Sequence, residues 1–153
     1  MTRTLDDLDA VLFDIGGTLV VEAPPGTATG ELAVELFAGV IDDLTELARD
    51  VRIGAVTNTA VMTERDVRAL VGPCGLDRLL EVVVTSVDVG VAKPDPRPIL
   101  VAIERLGLTD TSRVLFVGDE DVDGRAARAA GVAFSRVQPD DRIRDVIATR
   151  RRS

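Results

Sequence analysis

Polar residues gather at four places in this chain, each after a short apolar segment. Three clusters follow such a segment directly and the Lys93 cluster lies downstream of one: Asp14-Ile15-Gly16-Gly17-Thr18, Thr57-Asn58, Lys93-Pro94-Asp95-Pro96, and Gly118-Asp119 with Asp123. Because the carboxyl ends of parallel strands share one edge of an open sheet, we expect these clusters to converge there. The pattern predicts a single site built from residues more than a hundred positions apart.

Apolar segments alternate with helical periodicities along the chain. The predicted strands are 10–13, 51–56, 81–85, 114–117 and 132–137, and the predicted helices are 30–49, 63–71, 96–106, 123–130 and 140–152. Continuously apolar strands are typical of a parallel sheet that is covered on both faces. The sequence therefore predicts an α/β fold with a Rossmann-like, doubly wound parallel sheet. At 153 residues we expect one domain, 1–153, with a core over about 10–138 and a C-terminal helix over about 140–153.

Composition limits the possible chemistry and partners. The chain has no histidine, which excludes Ser-His-Asp catalysis and histidine metal sites. Its net charge of −8 argues against nucleic acid as a partner. No apolar run approaches the roughly 18 residues that a membrane span needs, and no secretory leader opens the chain. We therefore expect a cytoplasmic protein with neither a nucleic-acid nor a membrane partner.

Each polar cluster also has a structural interpretation. A single Asp or Thr after a strand is commonly a helix cap or turn residue. The run from Asp119 to Gly124 begins like a calcium-binding EF-hand loop, but its twelfth position is Ala130 instead of Glu, and a strand precedes it instead of a helix. No P-loop or dinucleotide-binding glycine pattern is present. The order and spacing of all four clusters are what favour a functional site.

Taken together, the clusters resemble the four motifs of the haloacid dehalogenase (HAD) superfamily over roughly residues 10–138. The matching segments are Phe13-Asp14-Ile15-Gly16-Gly17-Thr18-Leu19, Ala55-Val56-Thr57-Asn58, Lys93-Pro94-Asp95-Pro96, and Gly118-Asp119 to Asp123 with the small-residue helix that ends at Gly131. The resemblance implies a Mg²⁺-dependent phosphohydrolase with a HAD-like fold. It implies that Asp14 attacks phosphorus and forms an aspartyl-phosphate.

The resemblance also implies the metal ligands. Asp14 and Asp119 would supply carboxylate oxygens to Mg²⁺, and Gly16 would supply its backbone carbonyl. Asp123 would act either as a ligand through water or as a group that orients the ligands. Such a metal is physically needed, since a carboxylate does not easily approach a phosphate dianion without screening.

The phosphoryl group would be held by the second and third motifs. By the same resemblance, the Thr57 hydroxyl and the backbone N–H of Asn58 would bind a phosphoryl oxygen. Lys93 would offset the negative charge of the site and of the transition state. We therefore take Asp14, Thr57 and Lys93 as the candidate catalytic residues, and Thr57, Asn58 and Lys93 as the candidate substrate-binding residues.

One position departs from the family pattern. The family's second motif-one Asp, a general acid and base, is replaced here by Gly16. Such catalysis is typically worth about 10²–10⁴-fold in rate. Three consequences stay open: a slow enzyme, one that favours good leaving groups, or one that recruits another acid such as Glu22 or Glu120. The alternatives to a phosphatase are a weakly active or inactive binding or regulatory protein on the same fold, and a carbon–halogen hydrolase that uses Asp14 without metal.

The resemblance further implies a specificity cap, for which the sequence leaves little room. About ten residues lie between Val20 and Gly30, and one helix and one strand account for Thr59 to Ala92. We therefore expect no sizeable cap domain. An open site would suit a phosphorylated small molecule or macromolecule, or a lid contributed by a second subunit, which makes a homo-oligomer a possible state.

Overall fold

Five parallel strands form the centre of the molecule. The structure is a computed structural model and describes residues 7–22 and 34–152, with side chains up to residue 148. The strands are β1 (Ala10–Phe13), β2 (Arg52–Thr57), β3 (Val82–Thr85), β4 (Val114–Gly118) and β5 (Ala133–Arg136). Their order across the sheet is β3-β2-β1-β4-β5. The order reverses direction at β1, so β1 and its neighbours β2 and β4 border the crevice in which open α/β sheets bind ligands.

Helices connect the strands. The bounds are α1 (Val40–Leu47), α2 (Glu64–Val71), α3 (Ser86–Val89), α4 (Arg97–Arg105), α5 (Asp121–Ala130) and α6 (Ile143–Arg152). The start of α2 is fixed by a reciprocal capping box, in which the Thr63 side chain accepts from the Asp66 N–H and the Asp66 carboxylate accepts from the Thr63 N–H. Among the helices of residues 7–22 and 34–152, none has the length and apolar character of a bilayer-spanning segment.

Two apolar clusters cover the two faces of the sheet. Alternate residues of each strand point to opposite faces. Val11 and Phe13 of β1 belong to a cluster that includes residues of α1, α2 and α6, whereas Ala10 and Leu12 belong to one that includes residues of α4 and α5. All four β1 residues are fully buried. The doubly wound α/β fold expected from the sequence is therefore confirmed.

The predicted helix over 30–49 is too long. Residues 30–33 lie outside the described residues, and 34–39 are not helical. Instead Leu36 forms an antiparallel bridge with Val20, and the Phe37 N–H donates to the Leu19 carbonyl at 3.0 Å. Gly39, with φ at 75°, then precedes α1. Leu36 and Phe37 pack against the core from this extended backbone, so their helix-like spacing was misleading.

The described residues contain no inserted cap domain. Between Thr57 and Lys93 the chain forms only α2, two short 3₁₀ turns, β3 and the four-residue α3, which the sequence did not predict. Of these elements, α2 and α3 pack against β3. Whether residues 1–153 form the single domain expected from the sequence stays a prediction.

Candidate active site

The predicted convergence of the four clusters occurs at the carboxyl edge of the central strands. Asp14 follows β1, Thr57 ends β2, and Asp119 follows β4. The Asp14 N–H donates to the Val117 carbonyl at 3.0 Å, which ties the start of the first cluster to β4. Asp14 and Thr57 are buried, and Asp119 is half-buried.

Lys93 lies at the centre of this site. Its ammonium donates to the carboxylates of Asp14 at 2.9 Å and Asp123 at 2.7 Å, and to the Val56 carbonyl at 2.8 Å. These three bonds use all three N–H donors of an ammonium group. The side chain is only 1% exposed and also lies 5.1 Å from the centroid of the Phe116 ring. A lysine buried so completely requires such partners, whereas most lysines lie at the surface.

Negative charge exceeds positive charge around Lys93. One carboxylate oxygen from each of Asp14, Asp119 and Asp123 lies within 4.8 Å of the other two, and the Lys93 ammonium bridges Asp14 and Asp123. The pKa of Asp14 is raised from 3.8 to about 7, chiefly by burial and also by the charges of Asp123 and Asp119, against the opposing effect of Lys93. Like charges this close disfavour full ionisation unless a cation joins them.

The donor set fits a divalent metal of the Mg²⁺ type. Such ions prefer oxygen ligands, and a cluster of three carboxylates with one lysine has an excess of negative charge that a cation can neutralise. The Thr18 hydroxyl donates to Asp119 at 3.1 Å and so orients one candidate ligand. Gly17 has φ at 83°, and a Cβ there would overlap the Asp119 carboxylate, so glycine is required for this carboxylate to approach the first cluster.

Asp123 is held in place from both sides. One of its oxygens accepts from Lys93, and the other accepts from the backbone N–H groups of Asp119 at 3.2 Å and Glu120 at 3.1 Å. A carboxylate with this many partners has little capacity left for direct coordination. Of the two roles expected for Asp123, these contacts support the orienting one.

Asn58 has a contact that the sequence did not reveal. Its side chain accepts from the Lys93 N–H at 2.9 Å and donates to the Lys93 carbonyl at 3.1 Å. This pair of bonds fixes the backbone that carries Lys93. The two residues are 35 positions apart, and no spacing rule predicts that an amide will bridge a strand end to a distant loop.

Gly16 lies beside Glu22. A Cβ built on Gly16 would lie 3.5 Å from Glu22 Cγ and 3.6 Å from Glu22 Oε1, which is ordinary van der Waals contact. Glu120 faces the same cavity, and burial, followed by the charges of Asp119, Asp123 and Glu22, raises its pKa. Both glutamates that the sequence offered as substitute acids are therefore at the site.

These residues border a cavity of about 340 Å³. Its floor is polar and includes Asp14, Thr57, Lys93 and Asp123. The rest is largely aliphatic. We call five of the aliphatic residues the apolar wall: Val20, Val21, Val34, Met62 and Leu70. The cavity thus has a charged floor and an apolar wall.

Comparison with known proteins agrees with the fold. A model of the haloacid dehalogenase-like hydrolase family matches residues 27–137, so the chain belongs to that family. A phosphoglycolate phosphatase of Salmonella paratyphi A is 39% identical over 106 residues, which cover 67% of this chain and 40% of that protein. The chain thus spans well under half the length of this relative.

Solved structures of hydrolases share the fold. A HAD-superfamily hydrolase of subfamily IA from Geobacter sulfurreducens superimposes with a TM-score of 0.73 at 20% identity, over 93% of this chain and 99% of that one. A HAD-hydrolase from Bacillus subtilis, bound to magnesium, gives a TM-score of 0.70 at 14% identity, over 88% and 89% of the two chains. At these identities the likeness concerns the fold alone.

Proposed function

We propose that this chain is a Mg²⁺-dependent phosphohydrolase that transfers a phosphoryl group to Asp14 and then to water. The observation that carries the proposal is the Lys93 ammonium bound at once to Asp14 and Asp123, beside the third carboxylate of Asp119. This buried, charge-unbalanced group opens into a cavity large enough for a small phosphate ester.

The reaction has two steps. In the first, a carboxylate oxygen of Asp14 forms a bond to phosphorus while the bond from phosphorus to the leaving oxygen breaks, and the leaving oxygen takes up a proton. In the second, water attacks phosphorus, gives up a proton, and releases inorganic phosphate and the free Asp14 carboxylate. Mg²⁺, held by Asp14, Asp119 and the Gly16 carbonyl, would screen the negative charges that meet in both steps.

The remaining residues position the reacting groups. Lys93 binds one oxygen of Asp14 and so fixes the carboxylate and offsets its charge. Asp123 fixes Lys93 from the opposite side. Thr57, buried at the end of β2 and facing the cavity, and the backbone N–H of Asn58 would bind a phosphoryl oxygen.

Proton transfer to the leaving group is the weak point of this site, because residue 16 has no side chain. Glu22 is the nearest substitute on geometric grounds, since its Oε1 lies 3.6 Å from where a side chain at position 16 would begin. We expect the fastest turnover with leaving groups that need little help from an acid, such as acetyl phosphate or p-nitrophenyl phosphate.

The test is hydrolysis of these two compounds with and without Mg²⁺, in the wild type and in Asp14→Asn. Metal-dependent hydrolysis that Asp14→Asn abolishes supports the proposal. Hydrolysis that survives in Asp14→Asn contradicts it. Release of halide from haloacids without metal would instead support the carbon–halogen alternative.

A second candidate function is phosphate-dependent binding without turnover, which the glycine at position 16 specifically favours. Binding of beryllofluoride with Mg²⁺, together with turnover only in Gly16→Asp, would identify this case. The relative from Salmonella paratyphi A is named as acting on phosphoglycolate. We carry over only the class, a phosphorylated small molecule. The cytoplasmic location and a homo-oligomeric state stay predictions.

A further inference from the structure

We propose that the cavity selects phosphate esters whose leaving group is neutral and apolar, and that it discriminates against leaving groups that carry a carboxylate. This inference rests on the proposed phosphoryl site, because the phosphate must occupy the floor for the rest of the substrate to reach the apolar wall. It concerns the part of the substrate about which the phosphoryl chemistry says nothing.

The first argument is the charge around the cavity. Among the described residues that line it, Lys93 is the only cation. All three N–H donors of that ammonium are already bonded to Asp14, Asp123 and the Val56 carbonyl. Residues 23–33, which the structure does not describe, contain neither Lys nor Arg. A carboxylate on the substrate would thus have no cationic partner in this part of the chain.

The second argument is the sign of the charges at the cavity mouth. Glu22 and Glu120 are both exposed residues that line the cavity. A second anionic group on a substrate would approach these carboxylates, and like charges brought together at a binding site reduce affinity strongly.

The third argument is the apolar wall. Val20, Val34, Met62 and Leu70 are half-buried, and Val21 is 36% exposed, so each retains surface that a ligand can cover. Burial of aliphatic surface against such a wall is favourable, whereas burial of a carboxylate without a hydrogen-bonding partner is costly. Charge and hydrophobicity thus favour the same class of leaving group.

Two non-hydrolysable ligands test the inference without any turnover. Isopentylphosphonate and 3-phosphonopropionate have the same number of heavy atoms and differ in an isopropyl group against a carboxylate. With Mg²⁺ present, we expect isothermal titration calorimetry to show that isopentylphosphonate binds at least about tenfold more tightly. Equal affinity, tighter binding of 3-phosphonopropionate, or no binding of either would overturn the inference.

Two pairs of variants locate the selectivity. Leu70→Arg places a cation in the apolar wall, and we expect it to reduce the preference by about tenfold. Leu100→Arg, the same change at an exposed position of α4 outside the cavity, should leave the preference unchanged. Glu22→Gln should reduce the preference less, by about threefold, with Glu104→Gln on α4 as its control. If neither Leu70→Arg nor Glu22→Gln altered the preference, the apolar wall and the charge of Glu22 would not be the origin of the selectivity.

Turnover supplies a separate arm. Isobutyl phosphate and 2-phosphoglycolate differ by the same replacement, and glycolate is the better leaving group of the two. We expect the larger kcat/KM for isobutyl phosphate nonetheless. Absence of turnover with selective phosphonate binding would overturn the proposed catalysis and keep the selectivity. Metal-dependent turnover with a higher kcat/KM for 2-phosphoglycolate would keep the catalysis and overturn the selectivity.

Discussion

Two buried ion-pair clusters of this molecule can be compared directly. In the first, the Lys93 ammonium donates hydrogen bonds to Asp14 and Asp123, and Asp119 lies beside them. In the second, Arg142, the residue before α6, binds both oxygens of Asp43 on α1, at 3.1 and 2.8 Å. The buried acid is almost completely enclosed in both, since the side chains of Asp123 and Asp43 are 1% and 2% exposed.

The difference lies in the charge balance. Asp43 and Arg142 form a one-to-one, two-bond pair, and Gly39 leaves room for the guanidinium because a Cβ there would overlap it. Such a pair is complete without any ligand and joins α1 to α6. The Lys93 cluster has three carboxylates for one ammonium and is complete only with a further cation. A buried ion pair with balanced charge is typical of a structural contact, whereas a buried cluster with unbalanced charge indicates a site that binds a charged ligand.

The largest effect is expected from removal of the central cation. Lys93→Met should lower kcat for p-nitrophenyl phosphate by about 10³-fold, because Asp14 loses both its orientation and its charge partner. Arg142→Met, the matched loss of a cation from the balanced cluster, should leave kcat within about twofold. Steady-state kinetics with Mg²⁺ measure both variants. Equal losses of kcat in the two would remove the functional distinction between the clusters.

A fourth carboxylate in the unbalanced cluster should raise activity. Gly16→Asp should increase kcat for alkyl phosphates by about 10²-fold, because it supplies a proton donor and its side chain has space beside Glu22. Gly17→Asp is the control, since the positive φ and the overlap with Asp119 make a side chain there disruptive. A Gly16→Asp variant that folds and gains nothing would show that the native protein already has an effective acid.

The pH dependence of the free energy of unfolding should also distinguish the two clusters. The pKa of Asp14 rises from 3.8 to about 7 on folding of the metal-free protein. Its stabilising contribution is therefore complete below about 3.8 and is lost as the pH rises through about 7. In EDTA, urea denaturation should show that the free energy of unfolding of Asp14→Asn rises relative to that of the wild type, by a few kcal/mol, as the pH increases across that range. Asp42→Asn, an exposed position on α1, should show no such gain. A constant difference between Asp14→Asn and the wild type across that range would contradict the raised pKa.

The smallest effect concerns stability of the balanced cluster. Arg142→Met should lower the free energy of unfolding by about 2 kcal/mol, since it leaves Asp43 buried with less compensation, although Arg142 itself is 32% exposed. Urea denaturation measures this change. A variant as stable as the wild type would mean that the remaining bond from the Arg144 N–H to Asp43, at 3.3 Å, is sufficient.

Much of the architecture could be predicted because the signals are local. The buried strands are short apolar segments of the sequence. The polar residues at their ends were therefore predicted to lie along one edge of a single sheet. Thus Asp14, Lys93 and Asp119 were expected to meet, and they do. The bond between Asn58 and Lys93 was not predictable, because it depends on how a loop packs against a strand end.

The errors have physical causes as well. Leu36 and Phe37 follow a helical spacing, but the bridge from Leu36 to Val20 and the turn at Gly39 decide their conformation. Periodicity reports which side chains face a core and does not distinguish a helix from an irregular segment that packs on it. The apolar wall escaped notice for a similar reason, since its members come from separate segments.

Detection of phosphorylated Asp14 tests the central claim most directly. The protein is mixed with acetyl phosphate and Mg²⁺, quenched in acid within the first turnover, digested and analysed by mass spectrometry. We predict one acid-stable, hydroxylamine-sensitive phosphoryl group on the peptide that carries Asp14, absent without Mg²⁺ and absent in Asp14→Asn. Turnover with a phosphoryl group on another residue, or turnover at the wild-type rate in Asp14→Asn, would contradict the account.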